Sequence, residues 1–309
     1  MSKLSVIVPF VNEYPQLLFT VQSIYQDLHD RCDFEIIVIN NFCDEVKAQG
    51  QVEDKSFEAV LAARAVNPWL KVLHYKNKLS HWQAKNLGVQ NSTGDILWFC
   101  DAHCVVSRGT LWKMFEYYTR THEEINGTLH LPLTYKLLES HKLIYKLVYN
   151  PDIGELHYSF TGYREPTDRP HYQVPCMSTC GMMITRKLYD GLGGWPELLG
   201  IYGGGENFIN YTLAILGKTI NIFGGNPLHH HGEKRSYSWY YDDYTRNRII
   251  ASYMFGGKKL AAKYTVHRKG KTTVNQNILN EVLIKCKDQR EMIKSKQVIS
   301  IEDWVKKWD

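Results

Sequence analysis

The first hundred residues alternate short apolar runs with amphipathic stretches, and few folds accept that order. Ser5–Phe10 and Glu35–Ile39 are dominated by Val and Ile without polar alternation, the pattern of strands covered on both faces. Lys71–Tyr75 and Asp95–Cys100 read as two further strands. Between them, Leu17, Leu18, Val21, Ile24, Tyr25 and Leu28 recur at helical spacing behind Pro15. Ser56–Val66 is a second helix stopped by Pro68, and Trp82–Gln90 a third. Strand and helix in strict alternation predict a parallel, doubly wound sheet over residues 1 to about 105, with right-handed crossovers. With 309 residues, 44% of them apolar, the chain can bury one large core or two modest ones.

Further along, Gly127–Pro175 scatters Tyr, His and Pro without clean periodicity. Gly181–Thr185 and Thr219–Phe223 read as strands and Glu206–Leu216 as a helix. From Tyr240 the pattern is helical: Tyr240–Met254, a basic Gly-containing break over Gly256–Gly270, then Asn275–Lys296 and Ile301–Trp308. An α/β domain over 1–255 and a basic helical extension over 256–309 are therefore expected. The extension carries 13 Lys/Arg against 6 Asp/Glu, a net +7, whereas the rest of the chain carries −2. Such a tail suits a phosphate or an anionic surface as well as it suits a solvated helix face. No apolar run approaches the roughly 20 residues of a membrane span, and the N-terminus has no signal pattern. The expected location is the cytoplasm, a host's if the chain is viral. In that setting the seven cysteines read as buried free thiols. Cys100/Cys104 and Cys176/Cys180 form C-x3-C pairs, but structural zinc more often uses C-x2-C.

In open α/β sheets ligands sit beyond the carboxyl ends of the strands. Three of the four early strands end there in polar residues: Asn12–Glu13, Asn40–Asn41, and Asp101 with His103. An acid and an imidazole two residues apart, leaving a buried strand, suit a divalent ion with mixed oxygen and nitrogen ligands and open positions for a diphosphate. Gly203–Gly204–Gly205 opens a helix whose first turn holds Glu206 and Asn207. These two serve either a polyhydroxylated substrate or simply the helix dipole. His229–His230–His231 follows a strand and a turn, and three adjacent imidazoles cannot all point the same way.

Taken together, the runs Ser5–Glu13, Glu35–Asn41, Gly94–Cys104, Gly193–Pro196 and Gly204–Asn207 resemble a GT-A glycosyltransferase: Rossmann-like, with a mostly parallel sheet and flanking helices. Within that superfamily, and near glycosyltransferase family 2, they look most like the mucin-type polypeptide N-acetylgalactosaminyltransferases, over roughly residues 4–250. The resemblance implies that Asp101 and His103 bind Mn2+ (or Mg2+). A third ligand comes from His229–His231, with His231 the best match to the family's context. Glu206 and Asn207 match the pair that contacts the transferred sugar. Pro9, Asn12, Glu13, Asn40, Lys85, Asn86, Asp101 and Lys234 fall at positions near the nucleotide. The implied activity is metal-dependent, anomer-retaining transfer of a sugar from a nucleotide donor, expected to be a UDP-sugar, to an acceptor hydroxyl. Retention is preferred because Glu206–Asn207 lacks the second acid of many inverting enzymes.

The chain departs from that family in three places. Asn40–Asn41 replaces an Asp-Asp pair, Gly203 replaces a Trp, and the short Lys-rich tail cannot be a lectin domain. A Gln-x-x-Arg-Trp motif of processive synthases is absent. The acceptor partner implied by analogy is a polypeptide Ser or Thr. The alternative is a hydroxymethylated base in viral DNA, reached by Lys258, Lys259, Lys263, Arg268, Lys269 and Lys271 with aromatics from Tyr237 to Tyr244. Two rivals remain: a sugar-nucleotidyltransferase, which lacks its Gly-rich loop here, and an inactive sugar-nucleotide-binding module.

Overall fold

Strand β1 (Leu4–Phe10) is buried at every position and lies at the centre of the molecule. The structure is a computed structural model and describes residues 2–135, 141–150, 152–232, 235–268 and 276–308. Beyond β1 come α1 (Gln16–Leu28), β2 (Phe34–Asn40), α2 (Asp44–Ala48), α3 (Ser56–Arg64), β3 (Leu70–His74), α4 (His81–Gln90) and β4 (Ile96–Phe99). β1 pairs in parallel with β2 on one side and β4 on the other, and β2 pairs in parallel with β3. This is the doubly wound half expected from the alternation.

The remaining strands and helices are β5 (Cys104–Val106), α5 (Thr110–Ile125), β6 (Gly127–His130), β7 (Leu133–Thr134), β8 (Leu143–Asn150), β9 (Glu155–Gly162), β10 (His171–Val174), β11 (Met182–Thr185), α6 (Arg186–Leu192), α7 (Gly205–Ile215), β12 (Thr219–Phe223) and β13 (Leu228–His230). The main sheet is mixed, in the order β10-β12-β6-β11-β4-β1-β2-β3, because β11 enters antiparallel to both β4 and β6. A second sheet, β5-β13-β7-β8-β9, branches off where the chain leaves β4 and immediately starts β5. Residues 101–103 therefore sit at the junction of the two sheets. The stretch 127–175, which lacks helical periodicity, is where β8 and β9 form an antiparallel hairpin whose residues are only partly covered.

At the opposite end of the strands, Ser5 donates to Glu35 (2.8 Å) and accepts from the Gly94 backbone N–H (2.8 Å). Glu35 also accepts from the Thr93 hydroxyl and pairs with Lys71 at 2.7 Å. This bracket pins β1, β2 and the entry to β4, leaving the carboxyl ends to carry function. α5 buries Leu111, Met114, Phe115 and Tyr118 at i, i+3, i+4 and i+7; each such side chain is worth roughly 1.5–3 kcal/mol when fully buried.

The C-terminal helices are α8 (Tyr241–Arg268), α9 (Gln276–Lys285), α10 (Lys287–Ser295) and α11 (Ile301–Val305). Two expectations need correcting. Over the described part of the expected break at Gly256–Gly270 the chain only kinks at Gly257 (φ 75°) and the helix then resumes as far as Arg268, because Leu260, Ala261 and Tyr264 still present a buried face; Lys269 and Gly270 lie outside the described residues. The single helix expected over Asn275–Lys296 is two, divided at Cys286. Leu279, Val282, Ile293, Ile301 and Trp304 belong to the same hydrophobic core as β1. Among the described residues no helix is long and apolar enough to cross a membrane.

Candidate active site

A cleft of about 900 Å³ opens at the carboxyl ends of β1 and β4, roofed by the β8–β9 hairpin and the start of α8. Asp101, His103 and His230 meet there. His230 Nε2 lies 3.3 Å from Asp101 Oδ2 and 3.2 Å from His103 Nε2. Glu13, leaving β1, holds the other ring nitrogen of His103 at 3.1 Å. Strand register explains why His230 is the one that arrives. β13 runs antiparallel to β5 with His230 opposite Cys104, so His230 faces the junction and its neighbours face away. His229 instead contacts the Ser107 hydroxyl at 3.1 Å. His231, one residue after His230, donates its backbone N–H to the His103 carbonyl (2.8 Å). The geometry thus brings His230, and not the expected His231, to Asp101 and His103.

The charges of the cluster are coupled. Partial burial opposes ionisation of Asp101, but the His230 hydrogen bond and the Lys85 ammonium outweigh it and hold the carboxyl well below its ordinary range. Burial likewise opposes a charged His103, yet Glu13 lifts the imidazole to about 9. His230 is raised by Asp101 against the same opposition. Neighbouring ligands of a divalent ion with bonds of about 2.0–2.1 Å sit roughly 3 Å apart, and the two edges at His230, 3.3 and 3.2 Å, are of that size; the Asp101–His103 edge is wider, so one ion shared by all three requires a side-chain adjustment. A carboxylate bracing the far nitrogen of a ligand histidine is the usual outer support of such sites.

Lys85 reaches the floor from α4. It is almost fully buried, 3.8 Å from Asp101 Oδ1, and its ammonium lies over the rings of Trp82 (4.8 Å) and Trp195 (5.7 Å). Facing it, Glu206 at the start of α7 accepts from the Tyr158 hydroxyl at 2.6 Å, and burial pushes its carboxyl upward in pKa. The glycines before it are required by contact. Gly204 adopts φ 73°, and a Cβ there would sit 2.2 Å from the Asn247 carbonyl oxygen. Asn247 also clasps this loop through the Gly200 N–H (2.9 Å) and the Tyr202 carbonyl (2.7 Å). Arg248, buried beside it, binds Glu155 (3.1 Å) and the Tyr244 hydroxyl (2.7 Å).

Other expected residues are spent on structure. Pro9 and Glu13 line the cleft. Asn12 closes on the loop of residues 52–54, accepting from the Asp54 N–H and donating to the Val52 carbonyl (both 2.9 Å). Asn40 donates to Glu53 and accepts from the Phe42 N–H. Asn86 ties α4 to Trp195 through that residue's N–H (3.0 Å) and carbonyl (2.9 Å). Asn12, Asn40 and Asn86 do not line the cleft. Asn207 does, but its amide donates to the Leu156 carbonyl at 2.9 Å. Lys234 lies outside the described residues. Sequence reasoning missed Tyr158, Arg248 and Tyr145, which stacks on Tyr158 at 4.4 Å. The only signal for the two tyrosines was alternation in a stretch too polar to read as a core strand.

A Rossmann-like sheet with an acid and an imidazole beyond its fourth strand, joined by a second imidazole from β13 and facing a Gly-rich helix start, defines a GT-A glycosyltransferase. The chain belongs to glycosyl transferase family 2, whose sequence model matches residues 5–193. It is 24% identical over 237 residues to polypeptide N-acetylgalactosaminyltransferase 10 of Rattus norvegicus, covering 69% of this chain and 35% of that protein. To polypeptide N-acetylgalactosaminyltransferase 3 of Drosophila melanogaster it is 34% identical over 108 residues, covering 35% of this chain and 15% of that one. The chain thus spans about a third of the length of the first of these relatives. Its fold matches a crystal structure of GalNAc-T7 with UDP, GalNAc and Mn2+, with TM-score 0.75 and 14% identity over 99% of this chain and 56% of that one. It also matches S. aureus TarS 1–349 in complex with UDP, with TM-score 0.54 and 12% identity over 98% of this chain and 89% of that one.

Proposed function

We propose that the chain transfers a sugar from a UDP-sugar to a polypeptide hydroxyl with retention of anomeric configuration, using a divalent ion, Mn2+ or Mg2+, held by Asp101, His103 and His230. The observation that carries this reading is the meeting of those three donors, from two segments far apart in sequence, on the floor of the cleft. When bound, the ion supplies Lewis-acid stabilisation of the departing diphosphate. Lys85, its ammonium against the rings of Trp82 and Trp195, places a second positive charge beside the same leaving group. Glu13 orients His103 so that its other nitrogen faces the floor. Glu206 presents a carboxyl, fixed by Tyr158, to the hydroxyls of the transferred sugar. Of the other carboxylates lining the cleft, Glu13 is committed to His103, Asp101 to His230 and Glu155 to Arg248. Among the described residues no second acid is left in the cleft to pair with Glu206 as in many inverting sites, which supports retention.

The names of the relatives support a polypeptide acceptor. A DNA base finds less support, because Lys258, Lys259 and Lys263 do not line the cleft. Lys269 and Lys271 lie outside the described residues, as does the side chain of Arg268. The test is a screen of UDP-sugars for hydrolysis and for transfer to Ser/Thr peptides, with Mn2+ or with chelator. Metal-dependent turnover of one donor, with the product anomer matching the donor by NMR, is expected. Turnover unaffected by chelator would overturn the reading.

A further inference from the structure

Beneath the cleft floor lies a second cluster of donor atoms that the transfer chemistry does not use. Cys100 directly follows β4, Cys104 opens β5, and Cys180 precedes β11, which runs antiparallel to β4. The Gly181 N–H donates to the Phe99 carbonyl at 2.8 Å, and this bond brings Cys180 alongside the other two. All three thiols are buried, and their sulfurs lie within 4.8 Å of one another, Cys104 and Cys180 at 3.5 Å. The convergence takes one cysteine from the second C-x3-C pair and both from the first, so spacing alone could not show it. Among the described residues it is the only all-cysteine group of this kind.

We propose that Cys100, Cys104 and Cys180 form a thiolate site for one thiophilic dication of the zinc class, distinct from the oxygen and nitrogen donors above it. Zinc–sulfur bonds of about 2.3 Å set tetrahedral edges near 3.8 Å, so the Cys104–Cys180 separation needs only a few tenths of an ångström of adjustment. Thiolates select such ions, whereas the carboxylate and imidazoles of the cleft suit harder ones. Binding forms three metal–sulfur bonds and releases three thiol protons to solvent, with no change of oxidation state. The dication and three thiolates together carry −1. Cys180 also lies within 4.8 Å of donor atoms of Asp101 and His230, which places the cluster directly against the cleft floor.

Cadmium is the probe. The full chain, kept reduced with a phosphine, is titrated with Cd2+ while the sulfur-to-metal charge-transfer absorbance is followed. One equivalent should saturate the band, and Cys100→Ala, Cys104→Ala and Cys180→Ala should each weaken binding at least about tenfold. Cys286→Ala, at a cysteine in the C-terminal helices, should leave the titration unchanged. Because Ala at these buried sites can impair folding, 113Cd NMR of the unmodified chain provides an independent readout and should report three-sulfur coordination. The proposal is overturned if the folded chain shows no band, or if the band survives in the Cys104→Ala/Cys180→Ala chain. Loss of the band in Asp101→Asn with retention in Cys100→Ala would also overturn it, placing the ion on Asp101, Cys180 and His230. None of these outcomes depends on sugar transfer, so the two proposals fail separately.

Discussion

In the run His229–His231, the side chains of His229 and His230 leave opposite faces of β13, and the middle imidazole reaches Asp101. His230→Ala should therefore weaken Mn2+ binding at least about tenfold by electron paramagnetic resonance titration, while His231→Ala changes it less than about threefold. Equal losses in the two variants would place the ligand wrongly. A pH prediction belongs to Glu35 on the far side of the sheet. Burial there favours the neutral acid, but Lys71, the Thr93 N–H and the Ser5 hydroxyl bind the carboxylate and lower its value from 4.5 to about 2. The folded chain then binds fewer protons than the unfolded one between those values. The stabilisation is complete above about pH 4.5 and disappears as the pH falls towards 2, and is on the order of 2 kcal/mol. Denaturant melts of Glu35→Gln should show that deficit at pH 7 and little difference from the parent near pH 2. Asp101 and His103 were legible in the sequence because a buried strand delivers them directly to a sheet edge. The third imidazole was not, since strand register is a tertiary property. The bonds that Asn12, Asn40 and Asn86 make to nearby loop and backbone groups were not legible either, because they depend on which segments pack beside them.

At the scale of elements, the start of α7 depends on the first turns of α8. Gly204 lies against the Asn247 carbonyl, and the Asn247 side chain clasps residues 200 and 202. Gly204→Ala imposes both a positive φ and a backbone clash, so a loss of about 2–4 kcal/mol is expected in thermal or denaturant melts. A loss below about 1 kcal/mol would mean the turn relaxes without cost. The buried strands β1, β2 and β4 could be read because nothing but a parallel sheet covers both faces of such runs. The β8–β9 hairpin that roofs the cleft could not, because its strands alternate covered and exposed residues and its Tyr and His mimic a loop. α8 was read as broken because Gly256 and Gly257 are helix-poor, yet only Gly257 leaves helical geometry.

At the scale of the whole molecule, composition suggested a body and a basic tail, whereas packing joins them. Val282, Ile293, Trp304 and Val305 are buried in the core that also holds β1. A chain ending at residue 255 should therefore lose cooperative unfolding and bind a hydrophobic dye, by calorimetry and fluorescence; a sharp, reversible melt of that fragment would show an independent domain. Two sheets meeting at residues 101–103 place the carboxyl ends of the parallel strands and the end of β13 against one cleft, and the account's central claim concerns what that junction holds. Its most direct test is a crystal structure with manganese and UDP, located by anomalous scattering. The account predicts one manganese peak shared by Asp101 Oδ2, His103 Nε2 and His230 Nε2, with the diphosphate between it and Lys85; a peak elsewhere, or nucleotide bound away from these residues, would contradict it.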